Sequence, residues 1–325
     1  MLPTFAYIRA QSLDEAVRQL AADGARIHAG GTDLLGCLRD RVFHADKLVS
    51  ITALPGLRGI ATGRDGALRI GALTTVAEVA GNPTVRERYP GLAQAASEVA
   101  SPQLRNQGTI GGNLCQRPRC WYFRGEFHCL RKGGTTCYAL AGENQYHCIL
   151  GGSRCYIVHP SDTAPTLLAL GASVEVAGPK GRRTVSLDEF YVLPSADIQR
   201  ETVLAQGEVV THAVVPRPGT GIRSSYRKVR ARGSWDFALA GVALALRFDA
   251  GRVVDGRVVL SGAAPVPWRS REAESVIVGS RLEPDVCRRA AVAAMASAVP
   301  LKRNGYKVPL FTGVIEEELG KLGRV

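Results

Sequence analysis

Six of the chain's eight cysteines fall between residues 115 and 155. Three of them, Cys120, Cys129 and Cys137, lie in one basic, aromatic stretch, RPRCWYFRGEFHCLRKGGTTC (117–137). A thiol can be oxidised to a disulfide, can bind zinc or an iron–sulfur cluster as the thiolate, or can sit buried as a small apolar group. Taken alone, the stretch is compatible with any of these and suggests a thiolate-bound metal. Cys37 and Cys287 fall in helical patterns and read as buried apolar side chains.

Two glycine pairs form a second constellation. HAGGTDLLGCL (28–38) places Gly30 and Gly31 between a strand and a helix, and NQGTIGGNL (106–114) repeats the arrangement with Gly111 and Gly112. Successive backbone N–H groups at such a turn form an anion-binding nest, and a helix start behind it favours negative charge. Thr32 offers a hydroxyl and Asp33 a cap. Neither is a dinucleotide G-x-G-x-x-G or a P-loop, and either alone could be a plain turn. Two nests together suit a diphosphate held from both sides.

These residues need elements to carry them. SLDEAVRQLAADG (12–24) predicts a helix capped by Ser12, with Glu15 at the capping-box spacing and Gly24 at the stop. ARIHAGG predicts a strand entering the first glycine turn, and KLVSI (47–51) a second strand. ALRIGAL (67–73) is a third, followed by helices split at Pro83 and Pro90. TLLALGASVEVAG runs from helix to strand, and EVVTHAVVP (208–216) is a strand ended by proline. GVALALRFDAGRVVDGRVVLSG predicts strand, turn, strand, with Gly251 and Gly256 as punctuation. EPDVCRRAAVAAMASAV (283–299) predicts a helix. The expected division is 1–60, 61–222 and 223–325.

Composition narrows the class. At 325 residues and 46% hydrophobic, the chain has ample material for two or three packed domains. Thirty-six glycines suit a backbone that approaches a ligand closely. The net charge is +12, but the basic residues are scattered with no long block. A basic face turned toward an acidic partner subunit therefore fits better than nucleic acid. No apolar run is long enough to span a bilayer, and MLPTFAYIRAQSLDEA lacks the form of an export signal. The expected location is cytoplasmic or periplasmic, with export dependent on a signal-bearing partner.

AGGTDLL, then LRNQGTIGGNL, then HPSDTAPTLLALGA, with SSYRKVRARGSWDFALAGVALAL and YKVPL toward the C-terminus, resemble the FAD-binding medium subunits of the molybdenum hydroxylases. That family includes xanthine dehydrogenase and carbon monoxide dehydrogenase. The resemblance covers essentially the whole chain. It implies an α+β fold: a two-lobed FAD-binding domain of the vanillyl-alcohol-oxidase type, followed by a C-terminal domain of the carbon monoxide dehydrogenase flavoprotein type. It also implies that Ile27, His28, Ala29, Gly30, Gly31, Thr32, Asp33, Leu34 and Leu35 hold the FAD diphosphate from one side. Thr109, Gly111, Gly112 and Asn113 would hold it from the other. His159, Ser161 and Asp162, together with Val210 and Lys228, match positions near the flavin. On their residues alone, Asp162 would read as a helix N-cap and Lys228 as a surface lysine.

The resemblance extends to the cysteines. Some family members carry an insertion that binds a [4Fe–4S] cluster, as in periplasmic aldehyde oxidoreductase and 4-hydroxybenzoyl-CoA reductase. The match is closer to the aldehyde oxidoreductase and selects Cys120, Cys129, Cys137 and Cys155 as ligands. The intervening gaps of 8, 7 and 17 residues are wider than structural zinc normally uses, and disulfides would need an oxidising compartment. Gly133 and Gly134 would let the loop wrap a cluster. Arg117, Arg119, Arg124, Arg131 and Lys132 would offset its negative charge. Cys115 and Cys148 are set aside by resemblance, and His128 and His147 are taken as loop residues.

The implied function is electron transfer within a larger molybdenum-dependent aldehyde oxidoreductase. A large molybdenum-cofactor subunit would oxidise the substrate, a small subunit with [2Fe–2S] clusters would relay electrons, and FAD here would pass them to an external acceptor. No acid–base triad is expected. Equivalent subunits of a hydroxybenzoyl-CoA reductase or a xanthine dehydrogenase, and a zinc-stabilised binding module without redox chemistry, are the alternatives.

Overall fold

Strand-forming stretches gather into three separate sheets in the computed structural model, which describes residues 1–324. In the first sheet, β1 (Ala6–Arg9) and β2 (Ala25–His28) flank β3 (Lys47–Ser50), all parallel. Parallel neighbours require crossovers, and two helices supply them. Leu13–Leu20 buries Ala16, Val17 and Leu20. Its cap is as the sequence predicts: Ser12 Oγ accepts from Glu15 N at 3.1 Å, and Gln11 N donates to Glu15 at 2.8 Å. The second crossover, Leu34–Arg39, begins just beyond the first glycine pair.

The second sheet contains β4 (Ile60–Thr62), β5 (Leu68–Gly71), β6 (Ser173–Gly178), β7 (Gly181–Ser186) and β8 (Val209–Val215), in the order β4-β5-β8-β6-β7. Three helices, Val76–Gly81, Pro83–Arg88 and Pro90–Glu98, precede the second glycine pair. The two prolines start helices, where their missing N–H costs nothing.

The third sheet is β9 (Ile222–Val229), β10 (Ala240–Asp249), β11 (Arg252–Ser261) and β12 (Trp268–Arg269), antiparallel and ordered β12-β11-β10-β9. Strand alternation explains how it joins the other layers. Val242, Leu244 and Leu246 of β10 pack beneath the C-terminal helices Arg271–Ile277, Pro284–Ala294 and Lys307–Gly323. Ala243 and Ala245, on the opposite face, enter the core of the second sheet. The small side chains let that core approach closely, so β10 is buried on both faces.

Two local expectations are corrected. Gly256 is not a turn residue; it lies inside β11, where a Cβ would stand 2.4 Å from Leu246 Cδ2. The turn lies at Ala250 and Gly251, both with positive φ. The last predicted helix stops at Ala294 rather than Val299; Val299 N bonds instead to the carbonyl of Ile149 at 2.7 Å.

The cysteine-rich segment has little regular structure, only a short helix at Trp121–Arg124 and a 3-10 turn at Leu130–Lys132. It is fastened from outside. Lys307, wholly buried, donates to the carbonyls of Gly262 at 2.7 Å, His147 at 3.2 Å and Tyr146 at 3.4 Å. Burial lowers its amine pKa to about 8.

Candidate functional site

The two glycine turns meet. A Cβ on Gly30 would lie 2.1 Å from the carbonyl oxygen of Gln107, so no other residue fits without moving backbone. Gln107 Nε2 returns a bond to Gly30 O at 3.2 Å. Gly31 turns the chain with a φ of 72°. Across from it, Thr109 caps the Ile110–Leu114 helix, its Oγ1 accepting from Gly112 N at 3.2 Å.

The paired turns form a wall common to two cavities. One, of about 240 Å³, is lined by Ile27, Ala29, Leu34, Gly111 and Val210 together with Arg26 and Arg117. The other, of about 840 Å³, is lined by Leu35, Asn113, Asp162, Arg232, Trp235 and Phe237. Gly30, Gly31, Thr32, Asp33, Thr109 and Gly112 face both. His28 lines neither and packs edge-on against Tyr7, with ring centroids 5.8 Å apart.

Asp33 does not cap its helix. It accepts from Arg117 N at 2.7 Å, Arg119 at 2.9 Å and Arg124 at 2.7 Å. A residue of the first turn thereby holds the start of the cysteine segment.

Asp162 likewise makes no cap bond. Its carboxylate accepts from Tyr226 Oη at 2.7 Å and Lys228 Nζ at 2.8 Å, all three side chains being buried. Burial raises the Asp162 pKa, opposed by Lys228 and then Tyr226. Lys228 is therefore an interior lysine; it also donates to Glu98 O at 3.2 Å. It lines neither large cavity and acts on their wall through Asp162. Ser161 and Thr163 each donate to Asn113 Oδ1 at 2.6 Å, tying the HPSD loop to the second glycine turn. His159 lies apart, on a third cavity. Burial pushes its imidazole pKa down to about 3.

Sequence reasoning missed Tyr226, Trp235 and Phe237. Tyr226 stands two residues before Lys228 on β9 and so shares its face. Trp235 and Phe237 belong to the loop between β9 and β10, and no periodic signal aims a loop residue at a distant cavity. Ala100 and Trp235, two non-glycine residues with positive φ, line the larger cavity and are joined by a 3.0 Å bond from Trp235 N to Ala100 O.

Cys120, Cys129, Cys137 and Cys155 come together around one cavity of about 20 Å³, room for little more than a single water. Among the described residues no group of three or more His, Cys, Asp or Glu side chains could hold a metal ion. This overturns the expected [4Fe–4S] cluster and its iron–sulfur role. The surroundings agree. Burial pushes the Cys120 thiol up to about 12 and raises that of Cys137, disfavouring the thiolates a cluster requires. The nearby cations serve other acceptors. Arg119 and Arg124 pair with Asp33, and Arg117 and Arg131 pair with Glu201. Lys132 donates to the carbonyl of Gly125. Cys115 lines the smaller glycine-walled cavity, while Cys148 is buried near Cys155, its N–H donating to Tyr156 O at 2.9 Å. Cys37 and Cys287 are buried, as their helical patterns predict.

The chain is a two-domain α+β fold whose two glycine turns wall a pair of cavities, an arrangement suited to an extended ligand. Residues 3–218 match the FAD binding domain in molybdopterin dehydrogenase, and residues 224–308 match the CO dehydrogenase flavoprotein C-terminal domain. The chain belongs to this family of FAD-binding medium subunits of molybdopterin hydroxylases. It is 36% identical over 315 residues to the aldehyde oxidoreductase FAD-binding subunit PaoB of Escherichia coli, covering 95% of each chain. It is 30% identical to the carbon monoxide dehydrogenase medium chain of Hydrogenophaga pseudoflava, covering 92% of this chain and 88% of that one. A solved carbon monoxide dehydrogenase from the same organism, lacking the Mo-pyranopterin moiety, superposes with a TM-score of 0.76 at 29% identity, covering 98% of this chain and 96% of that one. These likenesses place the chain in a molybdenum-hydroxylase-type oxidoreductase complex with partner subunits. No helix among the described residues is long and apolar enough to cross a membrane.

Proposed function

We propose that the two glycine-walled cavities together hold FAD, and that the chain transfers electrons within a complex that oxidises aldehydes. The observation that carries this reading is the contact between the turns. Among the described residues the backbone N–H groups of Gly30, Gly31, Thr32 and Asp33 meet no protein acceptor at this wall, while those of Ile110, Gly111, Gly112 and Asn113 are bonded to Thr74 O, Ala72 O, Thr109 Oγ1 and Thr109 O and hold the second turn rigid against them. Such a cradle suits a diphosphate, and the cavities on either side leave room for the two ends of a dinucleotide. Arg26 and Arg117 on the smaller cavity add positive charge. Bound FAD would supply two-electron redox chemistry.

The chain's own residues bind and orient. Asn113, held by Ser161 and Thr163, fixes the second turn against the HPSD loop. Asp162, held by Tyr226 and Lys228, presents a rigid polar group on the wall of the larger cavity. Val210 and Ile27 supply apolar wall to the smaller one. On this reading the substrate reacts in a molybdenum-cofactor subunit, and a [2Fe–2S] subunit delivers electrons to this chain, which passes them to an external acceptor. The aldehyde class rests on the likeness to PaoB, whose name states that activity.

The full chain, purified and saturated with FAD, is expected to retain about one flavin per chain after gel filtration. Aldehyde should bleach that flavin only when the partner subunits are present. A chain that retains no flavin defeats the cofactor assignment. Flavin in the assembled complex that aldehydes leave oxidised defeats the substrate class.

A further inference from the structure

A line of buried oxygen atoms runs behind the larger cavity. Asp162 lines that cavity, and its Oδ1 accepts from Tyr226 Oη at 2.7 Å. Tyr226 in turn has the Ser261 side chain as a hydrogen-bond partner. A Cβ on Gly241 would lie 3.1 Å from Ser261 Cβ and 3.3 Å from Tyr226 Oη, so the two stand side by side where this glycine of β10 makes room. Ser261 lines the third cavity, of about 110 Å³, which has room for several waters. Trp121, Tyr146 and Phe237 on that cavity are partly exposed, so it reaches the surface.

Ser261, Tyr226 and Asp162 are 3%, 5% and 4% exposed. Lys228 at 2.8 Å already gives Asp162 its counter-charge, so the Tyr226 and Ser261 branch is not needed to neutralise it, and that branch leads to a second cavity. Its donors point one way. The Ser261 bond favours the charged form of Tyr226, and the Tyr226 bond favours the carboxylate of Asp162, so each hydroxyl donates toward the larger cavity. The charged groups facing Asp162 are Lys228 from β9 and Glu98 from the Pro90–Glu98 helix, the latter held by Arg230 at 2.7 Å. Arg119 and Asp236 lie on the walls of both cavities.

We propose that Ser261, Tyr226 and Asp162 form a proton relay between the third cavity and the cofactor in the larger one. The inference rests on the reading of the larger cavity as a flavin site, since a flavin that gains two electrons also gains protons. When the Asp162 carboxyl gives its proton to the larger cavity, Tyr226 replaces it, Ser261 replaces that of Tyr226, and water in the third cavity replaces that of Ser261. One O–H bond forms for each that breaks, one proton crosses, and no electrons move along the line. Tyr226 and Ser261 act through Asp162, which alone of the three lines the larger cavity.

The test is proton uptake by the full chain, saturated with FAD and mixed anaerobically with reduced methyl viologen, which supplies electrons and no protons. A pH-indicator dye follows the proton, and flavin absorbance follows the electrons. Ser261→Ala and Tyr226→Phe should each slow proton uptake roughly tenfold or more, and Ser261→Ala should leave FAD retention unchanged. In the FAD-free chain, infrared titration follows the Asp162 carboxyl, assigned by its loss in Asp162→Asn. Its pKa should rise in Tyr226→Phe and, by less, in Ser261→Ala, because each removes a donor that favours the carboxylate. A residue that only fills space would not move it. Flavin retained with proton uptake at the wild-type rate in both variants overturns the relay and leaves the flavin reading standing. If no FAD is retained, the flavin reading fails and the infrared titration decides: a shift in both variants supports the connected line, and an Asp162 titration indifferent to Ser261 overturns it.

Discussion

The glycine cradle and the cysteine segment are neighbours in sequence, and both drew attention for their chemistry, yet they fold on different terms. The cradle is made by backbone. Gly30 lies against Gln107 O because neither side chain nor rotamer intervenes, and the turns are set by the strand and helix on either side. The cysteine segment is made by side chains on an irregular loop, and its charges are settled by carboxylates from elsewhere. Asp33 comes from the first turn and Glu201 from beyond the second sheet's β7. A motif written in glycines carries its geometry with it. A motif written in cysteines acquires its geometry from whatever clamps the loop.

The sharpest way to break this contrast is Gly30→Val. The added Cβ must displace backbone at Gln107, so FAD retention should fall roughly tenfold or more, measured as flavin absorbance per chain. Unchanged retention would show that the turns do not cradle the cofactor.

Glu201→Gln attacks the other region. It leaves Arg131, whose side chain is 1% exposed, without its carboxylate. Breaking such a buried pair should cost about 3 kcal/mol, read from the urea midpoint, with loosening concentrated at residues 115–155 in hydrogen exchange. A shift confined to the glycine-walled cavities would contradict the clamp.

Acid should separate the regions less severely. Burial lowers the His159 pKa to about 3 from 6.5. The folded state therefore resists protonation while the unfolded state accepts it, so stability falls as pH drops from about 6.5 toward 3. The loss approaches about 1.4 kcal/mol per pH unit for this group. Denaturant titrations across that window should show the slope, and His159→Gln should flatten it by about one proton's worth. An unaltered slope would place the titration elsewhere.

The smallest expected effect is Thr109→Ala. It removes one cap bond to Gly112 N and should cost about 1 kcal/mol of stability, with FAD affinity reduced by several-fold. A loss as large as that of Gly30→Val would assign the cofactor's hold to the hydroxyl rather than to the turn.

Much of this was legible in the chain. Ser12 and Glu15 announced a helix because capping is local, and Pro83 and Pro90 marked helix starts for the same reason. The glycine turns were legible because turn chemistry depends on a few adjacent residues. Asp162 and Lys228 were legible only through family resemblance: what buries Lys228 is its register on β9 beside β10 and the approach of Glu98, neither of which is local. The fate of the cysteines was not legible. Their count and spacing said nothing of Asp33 and Glu201 claiming the neighbouring cations, nor of burial favouring the thiol. Gly256 was misread because the same residue that permits a turn also permits a close neighbour inside a strand.

Lys307 gives the molecule an order of events. The ribosome makes the cysteine segment long before the helix that bears this amine, and the carbonyl of Tyr146 gains its Lys307 donor only when that helix docks. Asp162 waits in the same way for Lys228. A nascent chain therefore emerges with its glycine turns written but their surroundings unfinished, and the cavity walls are complete only once Lys228 and the Trp235–Phe237 loop have followed. A chain truncated before residue 307 would carry every glycine of the cradle and keep Asp33 and Glu201 on the start of the cysteine segment, yet lack the amine that fastens its far end.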